Sequence, residues 1–288
     1  MADKKLSTGY HQGSVDVVMS VEEVNREASK LGSDVTREQV AALAGNNPFI
    51  DIEGLSAGYG KMEVLHDFNL QVRRGQSLCL IGPNGAGKST VLHSIYGFTN
   101  IFSGRVSIGE GDKKKDITKL GANQTLKQAK IAYILQDKSV FPDMTVEENL
   151  WMGAYLLNDP TEAKARAERV FAKYDRLAVR RRHQAKVLSG GERRLLEISR
   201  ALMMEPEVLL VDEPSIGLEP RFIDLVFDIL TDLQKTDGMT IIMVEQNAKR
   251  GLEFADIGYV LVSGETALAA SGDELLENPE VGRLFLGG

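Results

Sequence analysis

Hydrophobic and polar positions follow two kinds of pattern along this chain: short apolar runs and longer amphipathic stretches. The runs at residues 77–81, 208–211 and 240–244 are almost continuously apolar, which is typical of strands buried on both faces of a sheet. Residues 50–55 and 68–72 resemble antiparallel strands. Helical periodicity occurs at residues 88–97, 145–157, 161–174, 190–204 and 219–235. This alternation predicts an α/β fold with a mainly parallel central sheet.

The first part of the chain has a different pattern. Two capping-box sequences, in which a hydroxyl and a side chain three residues later satisfy each other's free amides, predict short helices at about residues 20–31 and 36–44. Neither helix is long enough to be stable alone. We therefore predict an N-terminal extension of unassigned role over residues 1–48 and one large domain over residues 49–288.

Composition narrows the class of protein. Of the 288 residues, 43% are apolar, which is enough to bury a core, and the net charge is −7. This charge balance does not favour a nucleic-acid-binding domain, so no nucleic-acid partner is expected. No apolar stretch approaches the ~20 residues that span a bilayer. The single cysteine, Cys79, excludes an intrachain disulfide and fits a reducing compartment. We expect a soluble intracellular protein.

A glycine-rich segment directly follows the run at residues 77–81. It fits G-x-x-x-x-G-K-[ST], a phosphate-binding loop in which backbone amides curl around a phosphate and a helix N-terminus favours the anion. Lys88 would reach the β- and γ-phosphates, and Ser89 would ligate Mg²⁺. The sequence therefore predicts binding of a nucleoside triphosphate by Gly82, Pro83, Asn84, Gly85, Ala86, Gly87, Lys88, Ser89 and Thr90.

Two carboxylates follow the run at residues 208–211. At the carboxyl end of a parallel strand, Asp212 would face the same crevice as the phosphate loop and hold Mg²⁺ through water. Glu213 would then polarise a water for in-line attack on the γ-phosphorus. An Asp-Glu pair after a strand is ordinarily a solvated strand end, but the phosphate loop favours the catalytic interpretation.

A second glycine segment, LSGGE, precedes these carboxylates along the chain. Its serine and glutamate form a capping box, and its paired glycines clear a helix N-terminus as an anion site requires. In this order, the phosphate loop, LSGGE and VLLVDEP resemble the nucleotide-binding subunit of an ABC transporter. The resemblance implies a RecA-like P-loop NTPase core, an antiparallel β subdomain and a helical lobe at about residues 140–187. It also implies a dimer in which the γ-phosphate of the opposite protomer is capped by Ser189, Gly190, Gly191 and Glu192.

The resemblance assigns three further positions. Tyr59 matches the aromatic residue that stacks on adenine, although packing on a sheet edge fits the sequence equally well. Gln136 matches the glutamine that contacts Mg²⁺ and senses the membrane partner. Gln246 stands where family members usually have a histidine near the γ-phosphate. Its amide can donate a hydrogen bond but cannot take up a proton, so Glu213 remains the main catalytic candidate.

Several segments resemble, more narrowly, the ATPase subunits of bacterial branched-chain amino acid importers: residues 145–150, 215–220, 244–248 and 284–288. This likeness covers about residues 49–288. It omits the N-terminal extension and a lysine-rich insertion around residues 111–130, of which residues 111–116 are predicted to be a solvated hairpin tip or loop. It implies an ATP hydrolase that drives uptake of branched-chain amino acids or related small solutes. Urea, short amides and aromatic acids remain open, because the solute does not touch this chain.

Two other functions share part of the pattern. A lipopolysaccharide-type exporter ATPase shares LSGGERR but is expected to keep a histidine at the position of Gln246. A soluble, non-transport ABC ATPase acting on ribosomes or DNA typically has two cassettes or a long coiled-coil insertion, and the sequence has neither pattern.

The importer interpretation implies a defined set of ligands and partners. ATP and Mg²⁺ would bind the chain, which would assemble with two transmembrane permease subunits. A second ABC ATPase subunit, or a second copy of this chain, would complete the dimer, and an extracytoplasmic solute-binding protein would act indirectly. The chain would be cytoplasmic and peripheral on the inner face of the cell membrane.

Overall fold

Two β-sheets organise the part of the chain that the computed structural model describes, residues 26–27, 35–45, 47–136 and 139–286. The strands in chain order are β1 Ile50–Tyr59, β2 Met62–Val72, β3 Ser77–Ile81, β4 Asn100–Ile108, β5 Lys115–Asp116, β6 Ile131–Ile134, β7 Val208–Asp212, β8 Thr240–Val244, β9 Ile257–Val262 and β10 Glu265–Ser271.

The larger sheet has the strand order β10-β9-β3-β8-β7-β6. All its neighbouring strands are parallel except β10, which runs antiparallel to β9. Every residue of β3, β7 and β8 is buried, which explains their continuous apolar runs and confirms the three predicted strands. The carboxyl ends of β3, β6, β7 and β8 therefore meet at one edge of the sheet.

The smaller sheet is antiparallel, with the order β2-β1-β4-β5. The predicted strand segments at residues 50–55 and 68–72 are confirmed, but β1 and β2 continue until a tight turn joins Tyr59 to Met62. Register shifts interrupt the pairing after Ile52, where Gly54 has a φ of +55°. Such bulges break the alternation from which strand length is predicted.

Helices flank both sheets. They are α1 Arg37–Ala44, α2 Lys88–Tyr96, α3 Ala122–Gln128, α4 Val146–Gly153, α5 Pro160–Lys173, α6 Asp175–Val179, α7 Gly190–Leu202, α8 Pro220–Lys235, α9 Ala248–Phe254, α10 Gly272–Glu277 and α11 Pro279–Phe285. The capping box at Thr36 is present, and it confirms the second N-terminal helix. The first, predicted at about residues 20–31, falls almost wholly outside the described residues. The helix predicted at residues 145–157 is shorter and ends at Gly153.

Apolar side chains form cores on both sides of the parallel sheet. One core joins the antiparallel sheet, α2 and strands β3, β8 and β9, and another joins β6 and β7 to helices α4, α5, α7 and α8. The fold is thus the predicted α/β architecture with a mainly parallel sheet, an antiparallel β subdomain and a helical lobe. In the described part of the chain, none of the helices has the length and apolar character needed to cross a membrane.

Residues 111–116 are exposed and lie in the hairpin of the antiparallel strands β4 and β5, which confirms the predicted solvated hairpin tip or loop. Lys114 within it nevertheless has a buried partner. The ammonium of Lys114 lies 2.5 Å from a carboxylate oxygen of the buried Asp51, which also accepts a hydrogen bond from Gln71. Burial alone would raise the pKa of Asp51, but hydrogen bonds from Lys114 and Gln71 hold it below its ordinary value. The acidic partner lies 63 positions away in the chain, so the lysine run alone gave no sign of it.

Candidate active site

The predicted phosphate loop connects β3 to α2 at the edge where the parallel strands end. Gly82, Gly85 and Gly87 have φ values of +142°, +81° and +98°, a region that disfavours residues with a Cβ. Gly87 is the N-cap of α2 and has no side chain to occupy the helix N-terminus. The loop therefore presents backbone amides and a helix N-terminus to the space above the sheet.

Gly82 has a second requirement that the motif alone did not reveal. A Cβ at this position would lie 2.1 Å from the carbonyl oxygen of Leu261 in β9, whereas a Cβ on Gly85 would meet nothing within 4 Å. The first glycine of the loop is thus needed for close packing against the neighbouring strand, and Gly85 only for its backbone conformation.

This difference predicts unequal losses of stability. Gly82→Ala combines backbone strain with a clash against backbone and should lower the melting temperature by ~5–15 °C. Gly85→Ala carries only the strain and should lower it by less than half as much. Thermal unfolding of the two variants and the parent measures this, and equal losses would contradict the packing argument.

Lys88 lies against the loop that it follows. Its ammonium donates hydrogen bonds to the carbonyl oxygens of Gly82 and Pro83, at 2.8 and 2.9 Å. Burial lowers the pKa of Lys88, and the charges of Glu213 and Asp212 oppose that shift. An ammonium has three donors, so one remains for a phosphate oxygen.

Asp212 ends β7 beside the start of α2. The hydroxyl of Ser89 donates to one of its carboxylate oxygens at 3.1 Å, and the hydroxyl of Tyr133 donates to the other at 2.9 Å. A hydroxyl and a carboxylate are hard oxygen ligands of the kind that Mg²⁺ takes in nucleotide sites, where phosphates and water complete the shell. The described residues contain no group of three or more His, Cys, Asp or Glu side chains that could hold a metal.

Glu213 follows directly, with a φ of +45°. Its carboxylate accepts a hydrogen bond of 2.8 Å from the amide of Gln136, the residue that lies just beyond β6. Burial raises the pKa of Glu213, the negative charge of Asp212 raises it further, and Lys88 opposes both. A carboxylate with a raised pKa is a stronger base, as activation of water requires. The structure places the Gln136 amide on Glu213, and its predicted contact with Mg²⁺ remains a prediction.

A cavity of about 330 Å³ opens above the loop. Its walls include Tyr59, a residue that is 40% exposed, and Met62 and Val64 from β2. Glu213 and most of the loop complete the lining: Asn84, Gly85, Ala86, Gly87, Lys88, Ser89 and Thr90. The cavity thus has an aromatic and apolar side suited to a base and a glycine-rich, cationic side suited to phosphates.

The LSGGE segment lies elsewhere in the chain. Ser189 and Glu192 form the predicted capping box at the start of α7, and none of residues 189–192 is among the cavity's described lining. A Cβ on Gly191 would lie 2.4 Å from the ring of Phe222, so packing explains one of the paired glycines. Gly190 has no such contact below 3.5 Å. Within one chain, this segment and the phosphate loop do not form a joint site.

Gln246 follows β8 and is exposed. It shares the sheet edge with the phosphate loop, but it is not among the residues that line the cavity. Its predicted contact with the γ-phosphate therefore remains a prediction.

Substitution of Gln246 tests that contact. Removing a donor to a charged group typically costs ~1.5–3 kcal/mol, so Gln246→Ala should slow ATP hydrolysis roughly 10- to 100-fold if the bond forms mainly in the transition state. The pH dependence should keep its shape near neutrality, because glutamine does not titrate. Gln246→His should stay active and add an inflection near ~6.5. Steady-state ATPase rates of the three proteins, measured against pH with partner subunits present, test this contact. If Gln246→Ala hydrolyses ATP at the parental rate at every pH, Gln246 is a solvated residue at the end of a strand and does not contact the phosphate.

Sequence reasoning missed one buried residue that supports the site. The guanidinium of Arg194 donates to the backbone carbonyls of Leu135, Glu213 and Pro214 and pairs with Glu197 at 2.7 Å. It thereby connects the backbone beside Gln136 to the backbone of the catalytic candidate. The sequence did contain a sign of this pair: Arg194 and Glu197 have opposite charges and lie three residues apart on the apolar face of a helix, a pattern that indicates a buried ion pair.

Comparison with known proteins gives a consistent result. The family described as ABC transporter matches residues 65–216. The high-affinity branched-chain amino acid transport ATP-binding protein BraG of Pseudomonas aeruginosa is 38% identical over 239 residues, 83% of this chain and all of that protein. A probable branched-chain amino acid transport ATP-binding protein, LivF, of Archaeoglobus fulgidus is 38% identical over 81% of this chain and 96% of its own length.

More distant relatives and solved structures agree on the family. The lipopolysaccharide export system ATP-binding protein LptB of Haemophilus influenzae is 29% identical over 82% of this chain and 95% of its own length. The ADP conformation of an ATP-binding cassette of an ABC transporter superposes with a TM-score of 0.72, 27% identity, and coverage of 85% of this chain and 100% of that one.

Proposed function

The chain belongs to the ABC transporter family of ATP-binding subunits, and on that premise we propose that it powers the uptake of branched-chain amino acids or chemically related small solutes. Membership makes it an ATP hydrolase whose activity is coupled to transport. The solute class rests on one observation, the 38% identity to BraG over that protein's whole length. LptB, at 29%, supports the alternative of lipopolysaccharide export less well.

The site's own residues support ATP hydrolysis by in-line attack. Lys88 and the N-terminus of α2 would hold the β- and γ-phosphates, and Tyr59 would stack on the adenine. Ser89 and Asp212 are placed to hold Mg²⁺, which would neutralise the charge that develops on the phosphates. Glu213, held by Gln136, would orient a water and take its proton.

A single chain supplies only part of this site. Ser189 and the glycines that follow it lie outside the cavity, so a second protomer would have to bring the same segment to the γ-phosphate. A second ATPase subunit or a second copy of this chain would provide it. ATP would then close two protomers around two shared sites, and hydrolysis would reopen them.

The surface for the permeases lies between the helical lobe and the parallel sheet. A cavity of about 300 Å³ opens there, next to Gln136, and four of its lining residues are large exposed hydrophobic side chains: Phe98, Leu135, Met152 and Tyr155. An exposed apolar group of this kind typically marks a protein interface. We infer that two permease subunits dock on this surface, which would place the chain on the inner face of the cell membrane, with a solute-binding protein acting from outside.

Uptake by whole cells tests the solute class. Deleting the gene should abolish high-affinity uptake of radiolabelled leucine, isoleucine and valine. The parent gene should restore it, whereas Glu213→Gln should not. Asp273→Asn, the same carboxyl-to-amide change at an exposed position of α10, is the matched control and should restore uptake. Unchanged uptake of all three amino acids, with a loss of urea or aromatic acid uptake or of surface lipopolysaccharide, would overturn the proposed solute class.

A further inference from the structure

Four aromatic rings pack together beneath the candidate active site. His93 and Tyr96 come from α2, Phe98 from the segment after it, and Tyr133 from β6. The ring of His93 lies edge-on to those of Phe98 and Tyr133, with centroids 5.8 and 5.7 Å apart, and Tyr96 packs on Phe98 at 5.0 Å. We call these four residues the aromatic cluster. Edge-to-face pairs at such distances stabilise one another beyond their buried area, so the cluster is a rigid support.

Two hydrogen bonds lead from the aromatic cluster into the site. The hydroxyl of Tyr59 lies 2.5 Å from Nδ1 of His93, and the hydroxyl of Tyr133 donates to Asp212 at 2.9 Å. Burial lowers the pKa of His93, which favours its neutral form, and a neutral ring with its proton on Nε2 accepts the bond from Tyr59 at Nδ1. One side of the cluster thus holds the candidate adenine-stacking ring, and the other holds the candidate magnesium carboxylate.

Each bond helps to fix the orientation of a side chain that the proposed site uses. Tyr59 is 40% exposed, and its hydroxyl is hydrogen-bonded to His93. Among the described residues, Asp212 accepts a bond from one side-chain hydroxyl on each oxygen, so loss of the Tyr133 hydroxyl would leave the Ser89 hydroxyl as its remaining partner of this kind. Restricting a side chain in its binding conformation lowers the entropy that binding costs.

We propose that His93 and Tyr133 are positioning residues for the nucleotide, His93 by holding the Tyr59 ring over the base and Tyr133 by holding the Asp212 carboxylate toward Mg²⁺. The proposal rests on the nucleotide site of the proposed function. The two roles predict effects on nucleotide binding that differ in their dependence on Mg²⁺. Loss of the His93 bond should weaken nucleotide binding whether or not Mg²⁺ is present, and loss of the Tyr133 bond should weaken only the contribution of Mg²⁺.

Calorimetric titration of the full-length chain with ADP, in EDTA and in Mg²⁺, tests the first effect. His93→Phe keeps a ring but removes the acceptor, and Tyr59→Phe keeps the stacking face but removes the donor. Each should weaken ADP binding about 2- to 10-fold in both buffers, the range expected for one neutral hydrogen bond. The double variant should be no weaker than the weaker single variant, because both remove the same bond. His93→Asn, which restores an acceptor near the Nδ1 position, should bind like the parent.

Titration with Mg²⁺ at fixed ADP tests the second effect. Tyr133→Phe should bind ADP like the parent in EDTA and need about 2- to 10-fold more Mg²⁺ for half-maximal enhancement of binding. Tyr96→Phe is the matched control: it removes a hydroxyl from the same cluster and should match the parent in both buffers, because among the described tyrosines it is Tyr133 that donates to Asp212. Melting temperatures near that of the parent show that each variant is folded.

The results that would overturn each assignment are distinguishable. Additive losses in the double variant, or parental binding by His93→Phe, would overturn the role of His93. Equal losses for Tyr133→Phe in EDTA and Mg²⁺, or an unchanged Mg²⁺ requirement, would overturn the role of Tyr133. Lys88→Ala should lose ADP binding in either case. If it binds like the parent, the nucleotide site itself is misassigned, and the proposed function fails with it.

Discussion

Glu213→Gln should bind ATP as the parent does and hydrolyse it at least ~10²-fold more slowly, since that is the typical loss when a positioned general base is removed. Glutamine has nearly the shape of glutamate, and Gln136 can still donate to its oxygen, so the local structure should persist. What is lost is the capacity to take a proton from water. Burial and the charge of Asp212 raise the pKa of Glu213, so hydrolysis by the parent should fall on acidification at a higher pH than an ordinary glutamate would allow.

Two measurements separate chemistry from binding in this variant. Equilibrium binding of ATP and single-turnover hydrolysis should show parental affinity with slow chemistry for Glu213→Gln. Lys88→Ala is the contrasting variant and should lose affinity itself, because the predicted role of the Lys88 ammonium is to bind the phosphates. Near-normal turnover by Glu213→Gln would remove this residue from the mechanism.

Ser189→Arg should abolish hydrolysis while leaving ATP binding by the single chain nearly intact. The segment that begins at Ser189 lies outside the cavity of its own chain, so a bulky cation there would obstruct only the site of a partner protomer. The substitution also removes a helix cap, which typically costs ~1 kcal/mol of stability.

Ser271→Arg controls for the lost cap. Ser271 forms the same kind of capping box with Glu274 at the start of α10. This variant should lose comparable stability and keep its hydrolysis. ATP binding, melting temperature and ATPase rate of both variants give the comparison, and full activity of Ser189→Arg in the assembled transporter would refute the shared site.

The sequence predicted well those features that depend on neighbouring residues. The buried strands β3, β7 and β8 follow from unbroken apolar runs, and the helix N-caps at Thr36 and Ser189 follow from capping boxes, whose two partners are three positions apart. The pattern also located parts of β1 and β2, but not their full lengths, because bulges interrupt the alternation in these strands. The resemblance supplied the expectation of a separate antiparallel β subdomain and a helical lobe. Domain limits and the roles of the site residues remain predictions.

Contacts between distant residues could not be predicted in the same way. The bond between Gln136 and Glu213 joins positions 77 apart, and that between Tyr133 and Asp212 joins positions 79 apart. Both depend on β6 pairing with β7, which the spacing of two apolar runs does not specify. The buried Arg194 is an intermediate case, since its charge on an apolar helix face was visible but its carbonyl partners were not.

Mixing two inactive variants tests the shared site most directly. Ser189→Arg lacks a competent LSGGE segment and Lys88→Ala lacks a competent phosphate loop, so a mixed dimer would hold one intact site and one doubly impaired site. When equal amounts of the two variants pair at random, about half of the dimers are mixed, and each mixed dimer has one intact site out of two. The mixture should therefore recover about a quarter of the parental ATPase rate. The account predicts that recovery from two variants that are each inactive alone. A rate that stays at the level of the separate variants, in mixtures shown by cross-linking to contain mixed dimers, would contradict it.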